Sequence, residues 1–296
     1  MLSRNDKLFI TALVATLTAV VLVAFAPMAA AQTSFVARLW SVAESAFFLA
    51  VVSTFIAAFA GTWGAQLLAE RNLRRKELLR EIQGTNAAIG LAFSIANAYI
   101  TTKKQHIRDL VAHYSQQCSD RELHAANIAN GRLPPGTPFP VGMELKTISP
   151  PFSPIDELRK FLGDRISPDG KALVLLTPLV QSIRGLEETF EQRNVWIQDV
   201  KQMPFDSDTM KLRLYFGLPF APGKTDERYP NFMKAMGPQT DDCIGFSVLL
   251  AQSLKAYGER LASRYGGGAP TIAAPNFDMA GDLMPDMTAY VGWTRN

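Results

Sequence analysis

Hydrophobic and polar positions change their rhythm along the chain, and each change marks an element. From Ser45 to Ala69 no residue carries a charge, and the run is rich in Phe, Leu, Val and Ala. About 20 consecutive apolar residues suffice to cross a bilayer, so a transmembrane helix is expected over 42–69. Beyond it the pattern steps 3-4-3-4 through Ile82, Asn86, Ile89, Phe93, Ala96, Ile100, Lys103, Ile107, Leu110 and Tyr114. That is the spacing of a coiled-coil seam, with Asn86 and Lys103 as polar exceptions. No proline interrupts Leu67 to Tyr114, so span and heptad segment are expected to form one helix. At 1.5 Å per residue its soluble part would reach roughly 70 Å from the bilayer edge. Gly84 and Gly90 each cost about 1 kcal/mol inside a helix, so a bend is expected there.

A more polar helical stretch completes the segment 70–130, and Gly131, Pro134, Pro135 and Gly136 end it. A Pro-rich connector follows over 131–152. Ser153-Pro154 and Ser167-Pro168 each read as an N-cap with Pro at the first helical position. They open a short helix ending near Gly163 and a long one from about Asp169 to Gln202, where Pro178 predicts a kink or a fresh start. The long helix repeats the seam spacing through Leu176, Leu179, Ile183, Leu186, Phe190, Arg193, Ile197 and Val200, with Arg193 as its polar intruder. Pattern leaves 203–240 open, and Lys211 to Phe216 suit a short helix or a strand equally. A further helix, about Asp241 to Arg264, stops at Gly266-Gly267-Gly268. The tail 269–296 carries Phe277, Met284, Met287, Tyr290 and Trp293, too apolar for a free linker, and is expected to lie in a groove. No such helix can bury its apolar face alone. The expected fold is therefore all-α, with one or two N-terminal spans continuing into a cytoplasmic antiparallel helical bundle over 153–268.

Residues 1–31 combine a basic start, an apolar run from Leu8 to Ala26 and the Ala29-Ala30-Ala31 ending of a signal-peptidase site. They read either as a first span or as a cleaved signal peptide. Under both, 32–41 is a short periplasmic segment. Arg71, Arg74, Arg75, Lys76 and Arg80 follow the second apolar run directly, and the positive-inside rule then places everything C-terminal to them in the cytoplasm. The expected location is the bacterial inner membrane. The same cations are expected to touch anionic lipid headgroups. Trp40 and Trp63 suit the two interfaces. Ala57, Gly61 and Ala65 form a small-xxx-small row that lets another helix approach in lipid, either the first span or a second copy of the chain.

The stretch AERNLRRKELLREIQGTNAAIGLAFSIANAYITTKKQHIRDL, with LEETFEQRNVWIQDV later, resembles an uncharacterised family of bacterial inner-membrane proteins. The resemblance covers about Ser41 to Val200 and is most specific between Asn86 and His106. It implies N-terminal membrane helices and a cytoplasmic helical domain. It implies no activity, so it assigns no catalytic residue.

Composition narrows the function without naming it. A net charge of +3 over 296 residues is too small for a broad nucleic-acid surface, and no nucleic-acid partner is expected. Cys118 and Cys243 make no metal or disulfide pattern, and no phosphate-loop, zinc-protease or serine-hydrolase motif occurs. No metal and no cofactor are expected. His106, His113 and His124 share one helical stripe but stand too far apart to ligate a metal without another helix, and read as solvated or hydrogen-bonded. Asp241-Asp242 reads as an acidic first turn favoured by the helix dipole. Asn86, Asn97, Lys103, Arg193 and Asn194 lie at or beside the seams. They either set helix register or, for Lys103, Arg193, Asn97 and Asn194, line a pocket for an anionic ligand. The expected role is a membrane-tethered interaction or signalling module with an unidentified cytoplasmic protein partner. A homo-oligomeric pore and an enzyme or receptor for an anion are the alternatives.

Overall fold

The computed structural model describes residues 46–168, 170–204 and 208–294. The expected first segment 1–31, the periplasmic stretch 32–41 and Trp40 lie outside them. The chain divides into two compact units, Met1–Asn72 and Leu73–Asn296.

Every regular element among the described residues is helical. Helix α1 runs Ala46–Thr102, a single π turn covers Lys103–Ile107, and α2 runs Arg108–Ala129. Then come α3, Ile155–Asp164, α4, Gly170–Lys201, α5, Asp208–Phe216, and α6, Arg228–Tyr265. Two short 3-10 segments, Asp278–Leu283 and Met287–Thr294, complete the tail. The all-helical class is as expected, and the open choice at Lys211 to Phe216 resolves to helix α5.

In the first unit the described part is the start of α1. Phe55, Ile56, Phe59 and Leu68 stand 71, 58, 62 and 61% exposed. By length and composition this helix can cross a membrane, with none of its apolar window buried.

In the second unit α1 changes character. Ile82, Ala88, Ile89, Ala92, Ile95, Ala96 and Tyr99 are buried, with Thr85 and Thr102 beside them. This buried face is wider than two positions per heptad. It shares one core with Leu110 and Tyr114 of α2, Leu175, Leu186, Phe190 and Trp196 of α4, Tyr215 of α5 and the face of α6 from Tyr229 to Leu254. A smaller cluster, Ile82, Tyr257 and Leu261, lies beside it.

The irregularity falls at the π turn and not at the glycines. Gly84 is a close-packing site: a Cβ there would meet Ile166 Cγ2 at 2.9 Å, so the missing side chain admits the α3–α4 link. Helix α6 begins at Arg228, well before the expected Asp241, and holds Pro238 inside it. An interior proline costs about 3 kcal/mol, and the burial of Tyr229, Phe232, Met233 and Met236 on the preceding turns offsets it. Asp241 and Asp242 are therefore mid-helix, and the acidic-first-turn reading fails. At the other end α6 stops where expected, with Gly266 at φ +83°, a conformation that side-chain-bearing residues avoid.

Two non-helical segments lie on the helices, the connector 130–154 and the tail 266–294. Along the connector Val141, Met143 and Leu145 pack against the core at every second residue, the period of an extended chain. Its carbonyls at Gly142, Glu144, Lys146 and Ile148 point to helix side chains with the same period. No second strand pairs with it, so side chains do what a sheet neighbour would do.

Candidate functional site

The residues that pattern singles out as polar intruders in apolar seams turn out to hold these two segments. Arg193, fully buried on α4, donates from Nη1 to the Lys146 carbonyl at 2.8 Å and lies with its guanidinium carbon 5.6 Å from the Tyr229 ring centre. Asn194 reads one residue twice, donating to the Ile148 carbonyl at 2.7 Å and accepting its N–H at 3.0 Å. Gln117 donates to the Gly142 carbonyl at 2.7 Å, and the Tyr229 hydroxyl donates to that of Glu144 at 3.2 Å. The Tyr215 hydroxyl in turn donates to Gln117 Oε1 at 2.9 Å. Burial raises the ionisation of Tyr114, Tyr215 and Tyr229, so these phenols stay protonated donors.

Asn86 treats the tail the same way, donating to the Thr271 carbonyl and accepting the Ala273 N–H, both at 2.9 Å. Lys103 donates to Asp241 at 2.6 Å and to the Leu283 carbonyl at 3.0 Å. Tyr290 donates to Asp242 at 2.8 Å and packs its ring over Gly245, where a Cβ would come within 2.7 Å. These polar residues beside the seams are thus engaged with backbone outside the α-helices. Their partners are extended segments, because an extended backbone without a sheet leaves its amides and carbonyls to be satisfied by side chains.

The expected anion pocket is not assembled either. Lys103 faces Asp241 and the tail, whereas Arg193 faces the connector and Tyr229. Asn97 lies apart from both, in a cleft of 370 Å³ with Phe93, Lys104 and Phe277. Arg193 does border one groove of 450 Å³, which opens where the π turn meets the connector. His106, Asp109 and His113 form one wall of it and Glu144 and Lys146 the other. Lys146, hydrogen-bonded to Glu144 at 2.8 Å, holds that carboxyl below its usual range. π turns recur at functional sites, and this groove lies beside one.

Its chemistry is limited. Among the described residues no group of His, Cys, Asp and Glu is placed to hold a metal ion. His106 and His113 are exposed, while His124 packs edge-on against Phe139 with ring centres 5.4 Å apart. Cys118 is half-buried beside the core. Burial pushes the Cys243 thiol far up, so it is an inert core residue and no nucleophile.

The basic cluster is exposed, and within it Arg75 donates to the Gly267 carbonyl at 3.2 Å and lies 4.7 Å from the centre of the Tyr265 ring. Among the described residues Ala57, Gly61 and Ala65 are exposed, and a Cβ on Gly61 would meet none of those residues within 4 Å. Gln117, Tyr229 and Glu144 were not singled out by pattern, since a glutamine and a tyrosine on a helix carry no signal of a distant carbonyl. Comparisons with protein-family models, curated proteins and solved structures find no match to this chain.

Proposed function

We propose that the chain is a membrane-tethered interaction module of a bacterial inner membrane, with its second unit a cytoplasmic helical bundle that engages a protein partner. The observation that carries this reading is the start of α1. Large apolar side chains there are exposed on every side, which water does not favour at that density, and lipid is the solvent that suits them. Arg71, Arg74, Arg75, Lys76 and Arg80 follow at once, and a cationic flank of this kind stays on the cytoplasmic side. The bundle supports binding over catalysis because Arg193, Asn194, Asn86 and Lys103 are engaged by its own backbone and carboxylates. The resemblance to an inner-membrane family agrees with this placement.

The test is topological. Expressed whole in a bacterium, the protein stays in the membrane fraction through alkaline carbonate. A fluorescent protein fused at its C-terminus glows, and alkaline phosphatase fused there is inactive. Release by carbonate, or an active phosphatase fusion, overturns the reading. A second reading, an oligomeric pore, draws on the uncovered Ala57, Gly61 and Ala65 row. Mass photometry in nanodiscs separates the two: a closed assembly that Gly61→Leu disperses favours the pore, and a monomer or dimer the tethered module.

A further inference from the structure

Cations without carboxylate partners gather at one end of the second unit, and residues far apart in sequence build that end. Glu81 of α1 is its hinge point. Its carboxylate accepts the Ser167 N–H at 3.0 Å and the Tyr257 hydroxyl, which ties the α3–α4 link and the last turns of α6 to α1. Arg165 is held there by the approach of its backbone to Gly84. Arg264 lines the same 390 Å³ cleft as Glu81 and Ser167. The neighbouring turns of α1 carry Arg74, Arg75, Lys76 and Arg80.

These cations outnumber the neighbouring carboxylates Glu77, Glu81 and Asp164, and none of them forms a close ion pair among the described residues. Arg75 gives its hydrogen bond to a carbonyl and its face to Tyr265, and Arg165 lies 5.0 Å from the centre of the Phe161 ring. Neither aromatic ring nor carbonyl cancels a charge, and Arg80 and Arg264 make no ion pair at all among the described residues. Elsewhere in the unit Lys103, Arg108, Lys146 and Arg228 each face a carboxylate within 3.5 Å. Glu81, half-buried in the cluster, is already occupied by two donors.

We infer that this end of the second unit is a docking surface for anionic lipid, in which Arg165 and Arg264 extend the patch that Arg74, Arg75, Lys76 and Arg80 begin. The inference rests on the membrane reading above. The chain enters this unit at Leu73 soon after the apolar run, so the cluster is covalently tethered to the segment that the membrane reading puts in lipid. There an anionic leaflet enriches each Lys or Arg about fivefold, and the attraction fades within about 10 Å at ordinary salt. Folding sets Arg165 against Gly84 and Arg264 in the Glu81 cleft, which adds two cations that no reading of the α1 cluster alone contains.

The experiment uses full-length protein in nanodiscs of phosphatidylcholine and of equal parts phosphatidylcholine and phosphatidylglycerol, read by hydrogen exchange. The exchange of peptides around Arg165 and Arg264 is expected to slow several-fold in the anionic discs and to return to the neutral rate in high salt. Arg165→Gln with Arg264→Gln removes that slowing and leaves α4 exchange unchanged. Equal exchange in both lipids, with the protein retained through carbonate extraction, overturns the docking surface alone. Release by carbonate overturns the membrane reading and this surface with it. Slowing that survives the double substitution confines lipid binding to α1 and overturns the role of Arg165 and Arg264. Slowing in neutral discs on adding heparin, with none in anionic discs, assigns the surface to a soluble polyanion and overturns the lipid assignment.

Discussion

The connector and the tail meet the same physical problem and solve it with different chemistry. Each is a stretch of extended backbone laid on helices without a sheet partner. The connector is held from beneath by side chains that are themselves buried, Arg193, Gln117 and Tyr229, and its carbonyls alternate into them with strand period. The tail is held partly from the rim, by Asn86 and by the exposed Arg108 pair with Asp282, partly by the largely covered Lys103, and finally by an aromatic ring seated on a glycine. A segment held mainly by buried donors cannot leave without exposing them. One held at its rim and at a single ring can be released in pieces. The connector belongs to the core, and the tail lies over it.

The strongest way to break this contrast is Arg193→Met, which orphans the Lys146 carbonyl and leaves a poorer fit beside Tyr229. It is expected to cost about 3 kcal/mol in urea unfolding of the purified protein, because a buried acceptor without a partner loses its full solvation. A cost under 1 kcal/mol would place the connector with the tail. Next, Gly245→Ala pushes a methyl into the Tyr290 ring and is expected to cost about 2 kcal/mol. Exchange of the last 3-10 segment should quicken while the connector's does not, and a joint response would erase the distinction. The matched pair Asn194→Ala and Asn86→Ala compares like with like. Each removes two backbone bonds, and the deeper Asn194 should cost about 2 kcal/mol against about 1 for Asn86. The smallest effect is acid. Glu144 in the connector is lowered by its Lys146 hydrogen bond, and Asp286 in the tail by its bonds from Thr288. Both carboxyls are lowered in the fold, so the stability they add is present above their ordinary values and lost as pH falls through the lowered ones. Both segments should loosen slightly below about pH 4, with exchange at the two sites as the measure.

Much of this architecture could be read from periodicity, because apolar spacing reports which face of a helix is covered. The C-terminal ends of α2 and α6 and the length of α4 follow from it, whereas the buried face of α1 takes in Ala88, Ala92, Ile95 and Tyr99 beyond the expected seam. Periodicity also marked Asn86, Lys103 and Arg193 as misplaced polar groups. It could not say what they bind, since a spacing of three and four carries no information about residues 46 or 185 positions away. The early start of α6 was hidden for a related reason. Pro230 and Pro238 argue locally against a helix, and only the core they help to cover decides otherwise. The α1 basic cluster was plain in sequence, whereas the arrival of Arg165 and Arg264 beside it depends on the tertiary bonds of Glu81.

Asn86 also sets a timetable. Its two tail partners leave the ribosome about 185 residues after it does. At 5–20 residues per second, that is a delay on the order of ten seconds or more. During it, α1, α2 and α4 have already emerged, while the face that the tail will cover stays open. Most helical proteins fold fast because their contacts are local. This one cannot finish until its last residues have emerged, so the tail is the step at which a nascent chain becomes a closed one.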